Sequence, residues 1–200
     1  MQKPGGYDEA RATGDYTPVE LGGHYCTIVG VKETKSSGGK DMIVVAFDFA
    51  QQDKQAGYFN EAFKNDNRPK NEKKWPYAGT SWIMVNDYED PNKTSRKFKT
   101  FCTCVEKSNN YEIKWGGSNW DQQFKGKKIG AVYGEEENEY NGKTFMRPAF
   151  KWFCGWDAVK DAKIPNPKYL TSNNASSGSA STDNNGWMNV PDDADEEIPF

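Results

Sequence analysis

Residues 24 to 50 carry two apolar stretches separated by a turn, and this unit restricts the fold more than any other part of the chain. Tyr25, Thr27, Val29 and Val31 alternate with Cys26, Ile28 and Gly30, the β-branched period-two pattern of a strand over 24–34. Ser36 to Asp41 has turn composition, and a second strand follows over 42–50, so the two are expected to form an antiparallel hairpin. On the second strand Ile43, Val45, Phe47 and Phe49 share one face, and Met42, Val44, Ala46 and Asp48 share the other. Both faces start apolar. A curved sheet closed into a small barrel buries two such faces; a flat sheet with one wet side does not.

The later elements complete that architecture. A third strand is expected over 80–86, a turn over 87–92 and a helix over 93–107 capped by Thr94 or Ser95. Phe98, Phe101, Cys102 and Val105 fall at i, i+3, i+4 and i+7, which buries one helix face. Strands over 129–136 and 144–154 flank Asn141-Gly142, a two-residue hairpin turn, and Pro148 marks an edge or bulge. Three strands, a helix and two strands is the order of an OB-fold, a mainly β, five-stranded Greek-key barrel with one helix between strands 3 and 4. The body is expected over 23–170, after an arm at 1–22, with residues 51–79 as a long loop insertion. Residues 171–190 form a linker, Ser/Asn/Gly-rich with nothing to bury over 171–186, leading into a disordered acidic tail at 191–200. Sixteen such linker residues reach about 20 to 25 Å.

Charge is divided between body and tail. Of 26 basic and 29 acidic residues, six acids and no bases lie beyond Leu170, leaving 26 against 23 before it, a net of +3. A mildly basic body with an acidic tail suits a polyanion-binding domain carrying a separate docking peptide. The apolar content is concentrated in rings: seven Trp, ten Tyr and eleven Phe stand beside only two leucines, Leu21 and Leu170. Rings left at the surface are candidates for stacking on bases, while the rest build the core.

Within 51–79 the bases alternate with aromatics, as a channel for a single nucleic-acid strand requires. The residues expected to contact DNA are Lys73, Lys74, Trp75 and Tyr77 there, then Lys125, Lys127 and Lys128, and finally Arg147 and Trp152. The tail, Asp192, Asp193, Asp195, Glu196 and Glu197 followed by Ile198, Pro199 and Phe200, reads as a portable ligand for a partner. Its ring fills an apolar pocket, its acids steer toward a basic surface, and proline keeps it extended.

An acidic run ending in Ile198-Pro199-Phe200 resembles the C-terminal tail of bacterial single-stranded DNA-binding proteins. That resemblance implies an OB-fold that protects single strands without sequence preference, and a tail that recruits replication, recombination and repair proteins. The Phe124-Lys125-Gly126-Lys127-Lys128-Ile129-Gly130 segment with its acidic hairpin is similar to the divergent single-strand-binding proteins of phages and mobile elements. The long 51–79 segment departs from the compact barrel of the bacterial family.

Other classes are less well served. Glu112-Ile113-Lys114, with Asp87 or Asp90 upstream, has the Glu-x-Lys form of metal-dependent nucleases, but the strands such a site needs are missing around it. The acids Glu135, Glu136, Glu137 and Glu139 beside a hairpin turn read as a solvated edge. One histidine, His24, supports no Ser-His-Asp grouping, and no phosphate-binding glycine loop with Lys-Ser/Thr is present. Cys26, Cys102, Cys104 and Cys154 lack the spacing of structural zinc motifs and read as reduced core thiols of a cytoplasmic protein. The expectation is a non-catalytic protein with no cofactor or metal. A protein-binding adaptor with an OB-like body is the alternative.

Overall fold

The computed structural model of the chain describes residues 2–5, 7 and 17–170. Its elements are β1 (Gly22–Lys35), β2 (Asp41–Phe49), α1 (Tyr58–Lys64), β3 (Thr80–Met84), α2 (Arg96–Asn109), β4 (Lys128–Tyr140) and β5 (Lys143–Cys154). The five strands pair antiparallel in one sheet of order β3-β2-β1-β4-β5, so the fold is mainly β and the sheet is open, with β3 and β5 at its edges. The linker at 171–190, the tail at 191–200 and, within the arm at 1–22, residues 1, 6 and 8–16 lie outside the described residues.

The sheet is strongly curled. Phe47 of β2 meets Phe150 and Phe153 of β5 at ring-centroid distances of 5.3 Å each. Those strands stand three places apart in the order, which in a flat sheet is about 14 Å. Register shifts that leave Val29 of β1 and Lys151 of β5 as extra residues add the bend, because an extra residue in one strand sharpens its twist. Inside the curl lie Ile28, Ile43, Val45, Phe47, Ile83, Ile129, Ala131, Tyr133 and Phe153. Helix α2 adds Phe98, Phe101, Cys102 and Val105, the face its spacing predicts, together with Cys104.

Helix α2 starts at Arg96, three residues later than the expected range of 93–107. The backbone ahead of it is already committed. Asp87 N–H donates to Lys93 O at 2.7 Å, Lys93 N–H to Asp90 O at 2.9 Å, and Asn86 bridges to Thr94. Ser95 then caps the helix by accepting from Phe98 N–H at 3.1 Å, while its own hydroxyl donates to Met84 O.

The 51–79 segment is part of the core and not an irregular loop alone. It contains α1, whose Phe59 is fully buried. Gly57 at the head of α1 has no side chain to cap it, and Asp48 of β2 does so instead, accepting from Phe59 N–H at 2.9 Å and Asn60 N–H at 3.3 Å. Gly79 is required by packing: a Cβ there would stand 2.7 Å from the Phe59 ring and 2.9 Å from Trp75 Nε1.

Beyond β5 the chain folds back over the sheet. A Cβ on Gly23 would lie 2.2 Å from Val159 O, one on Gly130 2.6 Å from Val159 Cγ2, and one on Gly134 2.3 Å from Pro165 Cγ. Three glycines thus make the bed on which this strap lies. Lys168 then bridges parallel to Glu136, with Lys168 N–H donating to Glu135 O at 3.0 Å and Glu137 N–H to Lys168 O at 2.8 Å. Among the described residues no helix is long and apolar enough to cross a membrane.

Candidate nucleic-acid interface

The distal halves of β4 and β5 form an arm closed by Asn141 (φ 51°) and Gly142 (φ 71°), the positive pair a two-residue hairpin turn needs. Tyr133 and Phe150, paired on the core side, set the parity of the arm. Gly134, Glu136, Asn138 and Tyr140 therefore share the outer face with Lys143, Phe145, Arg147 and Ala149. Tyr140 is 71% exposed and Phe145 46%. The only carboxylate on this face, Glu136, is held by Lys151 at 3.5 Å and Lys168 at 3.2 Å. Burial alone raises the Glu136 carboxyl, but the two ammonium groups outweigh it and bring it below its ordinary value. The opposite face carries Glu135, Glu137 and Glu139. One side of the arm thus presents rings between cations, and the other presents acid.

Arg147 is the one residue of the sequence-based set on the arm. Tyr140, Lys143 and Phe145 were missed, although alternation outward from Asn141-Gly142 already assigns them to one side. The acidic composition of 135–139 hides them, because the acids separate by face only once the register is known.

Four more of the expected contacts lie near β3. Trp75 is corrected to a core residue: it is 9% exposed, packs on Phe63, and its indole N–H is shared between Phe47 O at 3.3 Å and Gly79 O at 3.1 Å. Its ring is not offered to a base. Lys73 reaches back to donate to Lys64 O at 3.1 Å, and Lys74 is half-buried beside it. Tyr77 is 67% exposed and lies against Trp82 of β3, with centroids 4.9 Å apart and planes at 34°.

The lysines at the start of β4 form a third group. Lys127 Nζ sits 3.8 Å from the Tyr111 ring, and Lys128 Nζ 5.3 Å from Trp156, which leans on Tyr25. Their backbone is fixed by Gly126 N–H donating to Ile28 O, Ile28 N–H to Lys127 O, and the Asn109 side chain bonding both ways with Lys128. Lys125 is exposed, and Trp152, on β5 opposite Val132, is 46% exposed. Lys128 and Tyr140 stand at opposite ends of β4, up to about 40 Å apart at strand rise. Of the expected contacts, Arg147 pairs with Glu136, eight residues along β4 from Lys128, up to about 26 Å away at strand rise.

The groups weighed for chemistry have structural partners. His24 is buried, with Nδ1 3.1 Å from Asp53 and Nε2 2.9 Å from Glu20 O. Glu106 accepts from Ile113 N–H, and Gln123 from Lys114 N–H, which ties the Glu-x-Lys segment to α2 and the turn after it. Among the described residues no group of three or more His, Cys, Asp or Glu side chains is placed to hold a metal ion. Tail residues Asp192, Asp193, Asp195, Glu196, Glu197, Ile198, Pro199 and Phe200 lie outside the described residues. No protein-family model matches the chain, and no curated protein sequence matches it.

Proposed function

We propose that this protein binds single-stranded DNA without sequence preference and recruits DNA-processing proteins through residues 191–200. The observation that carries this reading is the outer face of the arm, where Tyr140 pairs with Lys143 and Phe145 lies between Lys143 and Arg147, the one acid, Glu136, being held by Lys151 and Lys168. Exposed rings take base faces that a duplex keeps stacked, and the cations displace counterions from phosphates. The strand order, with α2 between β3 and β4, supports an OB-type body left open between β3 and β5. The acidic run ending in Ile198-Pro199-Phe200 supports recruitment, with the Phe200 ring as its anchor.

Tryptophan fluorescence titrated with a poly-dT oligonucleotide and with an equal-length duplex, across salt, tests the binding reading. Quenching by dT that weakens with salt, with much poorer duplex binding, is the expected result. No response to either at low salt would reject DNA binding and favour the adaptor. Removing Phe200 is expected to abolish capture of DNA-processing proteins while leaving dT affinity intact.

A further inference from the structure

We propose that Trp115, in the segment after α2, is a stacking platform for one base of a single strand, with Lys114 and Lys127 beside it for the flanking phosphates. This rests on the single-strand reading above and adds a site built by α2 and the chain that follows it, no part of which belongs to the arm. The charge of the body points there. Residues 93–128 hold nine basic and three acidic side chains, a net of +6, which leaves 17 bases against 20 acids in the rest of the chain before Thr171. The positive charge of the body thus belongs to this one stretch, and a strand of phosphates is drawn to it. Of its three acids, Glu106 accepts from Ile113 N–H at 3.2 Å and Asp121 is half-buried, so Glu112 is its one exposed carboxylate.

The platform stands on a support of rings. Trp115 is 65% exposed and stacks on the buried Trp120, with centroids 5.7 Å apart and planes at 25°; Trp120 stacks in turn on Phe98 of α2 at 6.1 Å and 30°. Three rings therefore run from the core to the surface, and the outermost keeps a face in water. The Trp120 indole N–H has no acceptor, so what this residue supplies is the ring face under Trp115. One side chain fixes the backbone beneath. Gln123 accepts from Lys114 N–H at 2.9 Å and donates to Lys114 O at 3.0 Å and to Trp120 O at 2.7 Å. The same Gln123 oxygen accepts from the Tyr111 hydroxyl at 3.0 Å, and Lys127 Nζ lies 3.8 Å from the Tyr111 ring. Lys127, Tyr111, Lys114 and Trp115 thus form one strip in which cations alternate with rings, as a single strand requires. A ring held in place beforehand loses little freedom when a base settles on it. An apolar peptide on Trp115 makes no use of the surrounding cations, which is why the polyanion is favoured.

The test uses the full chain with a dT oligonucleotide and with an abasic strand of the same length, which keeps the phosphates and removes the bases. Trp115→Ala is expected to weaken dT binding about tenfold and to leave binding of the abasic strand unchanged, while Trp115→Phe loses less on dT. Lys114→Ala is expected to weaken binding of both strands and to lower the salt slope by about 0.7, the value of one single-strand phosphate contact. Wild-type dT affinity in Trp115→Ala, or an equal loss on the two strands, overturns the platform and leaves the function standing. Failure of the wild type to bind dT overturns both. Urea midpoints check that the variants are folded.

Discussion

His24 Nδ1 lies 3.1 Å from Asp53 Oδ1, and both side chains are buried. The other Asp53 oxygen accepts from Tyr25 N–H at 2.9 Å, and Oδ1 also accepts from Gln55 N–H at 3.0 Å. His24 stacks on Phe49 at 4.2 Å, and its Nε2 faces Glu20 O. One pair of side chains thus fastens residue 20, β1 and the turn after β2 to one another.

This arrangement predicts a pH dependence. Burial alone raises the Asp53 carboxyl, but the hydrogen bonds from His24, Gln55 and Tyr25 outweigh it and hold it below its ordinary value. The stability it contributes is complete above the unfolded value, about pH 4, and is lost as pH falls through the lower folded value. Asp48 works the other way: burial raises it against the opposing amide bonds, so its protonation favours the folded state as pH falls. Asp53→Asn is expected to cost about 1–3 kcal/mol at pH 7 and to approach wild type in acid, while Asp48→Asn flattens the opposing component. Urea midpoints measured from pH 7 to pH 3 decide this. Parallel curves for wild type and Asp53→Asn would contradict it.

The thiols should be silent while the protein is folded. Burial pushes Cys102 up to about 12 and Cys104 and Cys154 to about 11, and raises Cys26 well above its ordinary range. Labelling at pH 8 is expected to be slow in buffer and to reach four thiols per chain in urea, with half-buried Cys154 reacting first. Rapid native labelling of Cys102 would show that α2 packs differently.

Trp75 and Tyr77 are two residues apart and should respond in opposite ways. Trp75→Ala removes a buried ring and is expected to cost about 3–5 kcal/mol of stability. Tyr77→Ala, at an exposed position, is expected to leave the urea midpoint near wild type and to change oligonucleotide binding instead. A large midpoint shift in Tyr77→Ala would mean that its ring is structural.

The strap after β5 depends on glycine. Gly23→Ala drives a methyl into the Val159 carbonyl and is expected to cost about 1–3 kcal/mol and to free residues 156–165. Limited trypsin digestion should then cut faster at Lys160 and Lys163. Gly142→Ala makes a control: nothing stands within 4 Å of its Cβ, so only the left-handed backbone is strained, by about 1–2 kcal/mol. Equal strap cleavage in the two variants would argue against the close contact.

Alternation in residues 24 to 50, the i, i+3, i+4, i+7 spacing of Phe98 to Val105, a cap at Thr94 or Ser95 and the Asn141-Gly142 turn were all legible in the sequence, because each depends on neighbours within a few residues. Interactions that join distant segments were not. The carboxylate capping α1 comes from Asp48, outside the helix, so the chain around residues 57–60 reads as an uncapped loop. The core position of Trp75 is decided by Phe47 and Gly79. Local sequence thus determined the five strands, α2 and the hairpin turns, but not α1. Tertiary structure decided which rings are buried and which stay at the surface, because burial depends on what the folded chain brings against each ring.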